Sequence, residues 1–116
     1  MALNNTAKNF MLDALRAAMP YASLHSADPS TTGANELTGG TYARKAVTWA
    51  AAATGATSAS TTPVFDVPTG ATVAYAGFWS AVTGGTFYGF GTLASVAFAS
   101  AGTYTLTTAT VSVTDA

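Results

Sequence analysis

Apolar positions recur along this chain at two different periods, and the change falls at Pro20. Between residues 6 and 19, Ala7, Phe10, Met11, Ala14, Leu15 and Ala18 are spaced by three and four, which lines one face of an α-helix. Thr6 is placed to cap its start, and Pro20 biases Met19 away from helical geometry and ends the run. Lys8, Asp13 and Arg16 fall mostly on the opposite face.

After Pro20 the pattern is one of short strands between turns. Residues 21–26 make a first strand around Leu24, and residues 27–41 are dense in Gly, Pro, Asn, Asp and Thr, as a long loop requires. Residues 42–52 alternate, with Ala43, Lys45, Val47 and Trp49 on one face and Arg44, Ala46 and Thr48 on the other. A small-residue loop at 54–63 and a brief strand at 64–67 follow. Residues 72–93 carry a hairpin signal: strand 72–80, a turn at 81–85 containing Gly84-Gly85, and a second strand at 86–92. There Phe87, Gly89 and Gly91 share one face, and Tyr88 and Phe90 the other. In the C-terminal stretch, 103–114, Tyr104 and Leu106 have one parity, and Ala109, Val111 and Val113 the opposite one. A slip near Thr107 and Thr108 marks either a bulge or a strand that changes sheets. The expected fold is all-β: an antiparallel β-sandwich or barrel of about seven strands preceded by one short N-terminal α-helix. Residues 1–20 form the helical segment and 21–116 the β-sandwich domain.

Composition narrows the function. Only 8% of the 116 residues are charged and the net charge is -1, against about 25% charged residues in ordinary soluble domains. With no basic stripe to neutralise phosphates, neither nucleic acid nor an anionic membrane surface is an expected partner. A surface solvated by hydroxyls rather than ions is poorly protected against association, which suits a protein packed against copies of itself. Cysteine is absent, so stability rests on packing and hydrogen bonds, without disulfides or thiolate metal sites. The N-terminal residues lack the uninterrupted apolar stretch of a signal peptide, because Asn4, Asn5 and Asn9 break it.

No catalytic, metal or cofactor constellation emerges. His25 is the one histidine, and the nearest acid, Asp28, precedes Pro29 in an Asx-turn context. No serine sits in a G-x-S-x-G elbow, and Gly89-Phe90-Gly91 followed by Ala94 lacks the helix start that a dinucleotide fingerprint needs. The aromatic group Tyr75, Phe78, Trp79, Phe87, Tyr88 and Phe90 could stack on sugars, yet its apolar neighbours favour core or interface packing. Arg44 and Lys45, being adjacent, point to opposite faces of a strand, so one of the two lies at an edge or interface, where an acid such as Glu36 is a fitting partner. The expectation is a non-enzymatic chain without cofactor.

Residues 24–49, LHSADPSTTGANELTGGTYARKAVTW, with Val67-Pro68-Thr69-Gly70, Phe78-Trp79 and Thr83-Gly84-Gly85-Thr86-Phe87, resemble small virion structural proteins of tailed bacteriophages. The likeness is to capsid-decoration and tail-fibre-like proteins, notably those of actinobacteriophages. It implies a virion location, on the capsid exterior or the tail. The main expectation is a decoration protein, a homotrimer that binds the major capsid protein and stabilises the shell. A tail or tail-fibre component, structural or host-binding, is the alternative, and a carbohydrate-binding module a third class. The helix at 6–19 or the loop at 27–41 would carry the contacts. The candidate interface comprises Phe10, Met11, Leu15, Asp28, Glu36, Arg44 and Trp79.

Overall fold

The computed structural model describes residues 3–107 and 110–112. One helix, α1 (Asn5–Ala18), precedes eight strands: β1 (Tyr21–His25), β2 (Lys45–Ala46), β3 (Ala56–Ser58), β4 (Val64–Val67), β5 (Thr72–Trp79), β6 (Phe87–Ala97), β7 (Gly102–Thr105) and β8 (Thr110–Ser112). All pairing is antiparallel. A four-stranded sheet of order β2-β1-β5-β6 is accompanied by two ribbons, β3-β8 and β4-β7. The chain is thus a mostly-β, sandwich-like fold behind one helix, as its two periods imply.

The helix forms where expected but starts earlier and faces the other way. Asn4, not Thr6, is the N-cap, accepting a 2.9 Å hydrogen bond from the Ala7 amide. Leu12 is the fully buried residue, whereas Phe10 (78% exposed), Met11 and Ala14 look outward. The inward edge is held by polar side chains: Asn9 accepts from the Gly55 amide, Asp13 from the Ala52 amide and Arg16, and Arg16 donates to the Trp49 carbonyl. Those hydrogen bonds, Ala52 first and Arg16 next, hold the Asp13 carboxyl below its usual pKa. Tertiary hydrogen bonding has therefore overridden the apolar stripe in deciding which face docks.

The expected strand at 42–52 shrinks to Lys45–Ala46 plus a single bridge from Trp49 to Ala59. Its alternation still holds for Val47 and Trp49, which are buried while Thr48 is exposed. The loop at 54–63 contains β3, which hydroxyls and alanines had concealed. β6 runs on to Ala97, five residues past the expected end. The parity slip in the C-terminal stretch is a change of sheet: β7 pairs with β4, and β8 with β3. Residues 108–109 and 113–114 of that expected stretch lie outside the described residues.

The core lies between the four-stranded sheet and the segments facing it. Ala22 and Leu24 of β1 and Val73, Ala76 and Phe78 of β5 meet Val47, Trp49, Phe65, Val67 and Leu106. Trp49 packs edge-on against Phe78 with ring centroids 5.2 Å apart, and its indole N–H donates to the Met19 carbonyl at 3.1 Å.

Candidate functional site

β1 positions the most elaborate polar cluster in the molecule. Alternation along Tyr21–His25 sends Ala22 and Leu24 into the core and turns Ser23 and His25 to the opposite face. There β5 lays Gly77 beside Ser23 and Trp79 beside Tyr21, and β6 brings Phe87 beside Trp79. A register shift between Phe78 and Trp79 breaks the alternation of β6. Phe87 therefore shares its face with Phe90, contrary to the simple two-residue period.

The loop at 26–44 roofs this face. Asp28 makes the expected Asx-turn, its carboxylate accepting from the Ser30 amide at 2.7 Å. Pro29 is buried, and its carbonyl accepts from both Gly33 and Ala34. Ser30 and Asn35 take left-handed backbone angles (φ 56° and 64°), and Asn35 donates to the Asp28 carbonyl. Gly33 lies directly on the Trp79 ring, at a φ of 75° that also favours glycine.

Hydrogen-bond chemistry assigns the histidine tautomer. The Ala34 carbonyl, 2.8 Å from His25 Nδ1, can only accept, so Nδ1 carries the proton. Nε2 then accepts from the Ser23 hydroxyl at 2.7 Å, and Ser23 Oγ accepts from the Trp79 indole at 2.9 Å. Burial, the largest influence, lowers the His25 pKa. Around this chain sits a charged clamp: Arg44 holds both Glu36 oxygens at 2.9 Å and the carbonyls of Ala81 and Gly84, with its guanidinium stacked on Trp79. Tyr42 donates to Glu36 and accepts from the Leu24 amide, and burial above all raises its pKa.

A serine hydroxyl donating to an oriented imidazole has the local form of a nucleophile and its base. Its surroundings are those of a core, however. Ser23 and His25 are both fully buried, and the serine oxygen already accepts from Trp79. The cluster fastens the loop to the sheet.

The outer surface is different in character. Tyr88, Phe90 and Val96 on β6 are 40–44% exposed. An open depression of about 350 Å³ lies between Ser30 and Thr31 of the loop and residues Phe87–Phe90. Phe90 leans edge-on against Tyr75, centroids 5.8 Å apart.

Of the residues expected at an interface, the structure brings together Glu36, Arg44 and Trp79, all within the loop clamp. Asp28 shapes the loop. Phe10 and Met11 lie outward on α1, and Leu15 packs half-buried against the core. Ser23 and Tyr42 were not singled out from sequence. A serine two residues before the histidine, on one strand face, was the available signal for the first of these. Among the described residues, no group of three His, Cys, Asp or Glu is placed to hold a metal ion. No helix there is long and apolar enough to cross a membrane.

The comparison that decides the family covers nearly the whole chain. Residues 2–114 match the family model described as podophage GP4 fiber I protein gp80. The chain belongs to that family. No curated protein matches it. The fiber I family is one of phage structural proteins by its description, which favours the tail-fibre alternative over capsid decoration.

Proposed function

We propose that this fiber I family member is a non-catalytic structural part of a podophage fibre, working by packing against neighbouring subunits. The observation that carries the reading is the family match over residues 2–114. Two features support it. No Asp, Glu, Lys, Arg or His occurs between Asp66 and Asp115, so much of the β surface is uncharged. The body measures 48 × 25 × 24 Å, an elongated shape that suits a segment of a fibre. The buried Ser23–His25 pair acts as a structural fastener for the roofing loop, with no cofactor and no chemistry of its own.

Labelling virions with an antibody raised against the purified chain, followed by electron microscopy, tests the reading. Label on fibres, at a few copies per particle, is the expected result. Label spread regularly over the shell would replace the fibre with capsid decoration, and unlabelled particles would remove the chain from the virion altogether.

A further inference from the structure

The aromatic group that stands together in the sequence is divided by the fold. Phe78 and Trp79 are buried, and Phe87 is half-buried against Trp79 with ring centroids 5.0 Å apart. Tyr88 and Phe90 stay 44% and 42% exposed. Phe87, Tyr88 and Phe90 all belong to β6, the outer strand of the four-stranded sheet. They wall an open depression of about 350 Å³ whose other side is the loop tip, Ser30 and Thr31. Small-ligand sites span about 300–1,000 Å³, so this one suits a small occupant. Its walls are held from behind. Phe87 rests on Trp79, which Arg44 contacts in turn at 3.6 Å, and Phe90 leans edge-on against Tyr75. On the loop side, Ser30 is fixed in its left-handed conformation (φ 56°) by the hydrogen bond from its amide to Asp28. Asn35 closes the same turn by donating to the Asp28 carbonyl.

We infer that this depression binds one or two rings of a neutral saccharide. A sugar ring has an apolar face of C–H groups and a rim of hydroxyls, and the depression complements both. The rings of Tyr88 and Phe90 present apolar surface, with a polar tip at the tyrosine hydroxyl. The Ser30 and Thr31 hydroxyls across from them each donate one hydrogen bond and accept others. Charge sets the other ligands aside. None of the six lining residues is Asp, Glu, Lys, Arg or His. The nearest acid in sequence, Asp28, spends its carboxylate on the Ser30 amide. A single strand of nucleic acid could stack on the rings, but it needs Lys or Arg along its backbone. An anionic sugar needs the same counter-charge. An apolar peptide would be left facing hydroxyls on the loop side. Walls already fixed in place reduce the ordering cost of binding. The sequence favours core or interface packing for these aromatics, and the exposure of Tyr88 and Phe90 is what changes that reading. The inference goes beyond the fibre assignment and does not depend on it.

NMR titration of the isotope-labelled full chain with neutral sugars tests the site: glucose, galactose, mannose, rhamnose, N-acetylglucosamine and their disaccharides. Sialic acid and glucuronic acid serve as charged comparisons. At least one neutral sugar is expected to shift the amides of Ser30, Thr31 and Phe87–Phe90 saturably, with a Kd on the order of 1 mM. Tyr88→Ala should weaken that binding at least tenfold, and Thr31→Val severalfold, both with the native circular dichroism spectrum. Phe10→Ala, which removes an exposed ring on α1, should bind as the native chain does. No saturable shift with any neutral sugar overturns the inference. So does binding that Tyr88→Ala leaves intact, a shift pattern centred away from the depression, or a preference for the charged sugars. Should a variant fold poorly, the shift map of the native chain decides by itself whether the sugar sits between the loop tip and β6.

Discussion

The Arg44 guanidinium carbon lies 3.6 Å from the centroid of the Trp79 ring. The same group spans Glu36 with two hydrogen bonds and reaches the Ala81 and Gly84 carbonyls, so one side chain ties the loop at 26–44 to the β5–β6 turn. A lysine keeps the charge and loses the planar fork and the stacking. Arg44→Lys should lower the unfolding free energy by about 2–4 kcal/mol, because Glu36 is left half-buried and incompletely paired. Urea denaturation measures this, and a loss below about 0.5 kcal/mol would show that the clamp contributes little.

Gly77 is required by the cluster above it. A Cβ there would lie 2.6 Å from His25 Nε2, 2.7 Å from Ser23 Oγ and 2.8 Å from Phe87, all packed groups. Gly77→Ala should destabilise by about 1–3 kcal/mol, the usual range for overpacking. Gly89→Ala on the neighbouring strand meets nothing within 4 Å and should be neutral or slightly stabilising. Equal thermal shifts for the two variants would contradict the packing described for this face.

Acid should loosen the roofing loop. Burial lowers the His25 pKa from its ordinary 6.5, outweighing the opposite pull of the Ala34 carbonyl and Glu36, and Arg44 lowers it further. The unfolded chain therefore binds this proton more readily than the folded one. Stability is complete above about pH 6.5, declines as the pH falls below it, and levels off beneath the depressed folded value. Protonation would also aim a second N–H at Ser23 Oγ, displacing the hydrogen that the serine now donates. Melting temperatures from pH 8 to 5 should fall for the native chain and fall less steeply for His25→Gln. The same slope in both would place the titration elsewhere.

The helix cap separates two neighbouring candidates. Asn4 accepts from the Ala7 amide at 2.9 Å, whereas Thr6 lies inside the helix and exposed. Asn4→Ala should cost about 1 kcal/mol, and Thr6→Ala should change stability by less than about 0.5 kcal/mol. Chemical denaturation of the two variants checks the assignment, and the reverse order would restore Thr6 as the cap.

Sequence alone determined the class of the fold, since spacing and punctuation are local properties. The switch from a three-to-four period to a two-residue one at Pro20, the Gly-Gly hairpin and the Asx-turn at Asp28 each depend on residues a few positions apart. The parity slip near Thr107 marked a bulge or a change of sheet for the same reason, and the strand pairing decided for the change of sheet. Sequence offered Glu36 as a partner for one of Arg44 and Lys45 without deciding which, and the structure gives it to Arg44. Tertiary structure decided the rest. Which face of α1 docks depends on Asn9, Asp13 and Arg16 finding backbone partners at 49–55, contacts about forty residues away that no helical period records. The bulge that turns Phe87 onto the face of Phe90 arises from the β5–β6 register, and the His25–Ser23–Trp79 chain from two strands that bring Ser23 and Trp79 together across a separation of 56 in sequence. The bare edge of β6 is likewise a property of sheet order. A strand pattern specifies which residues face a core, and only the assembled sheet determines which strand is left without a neighbour.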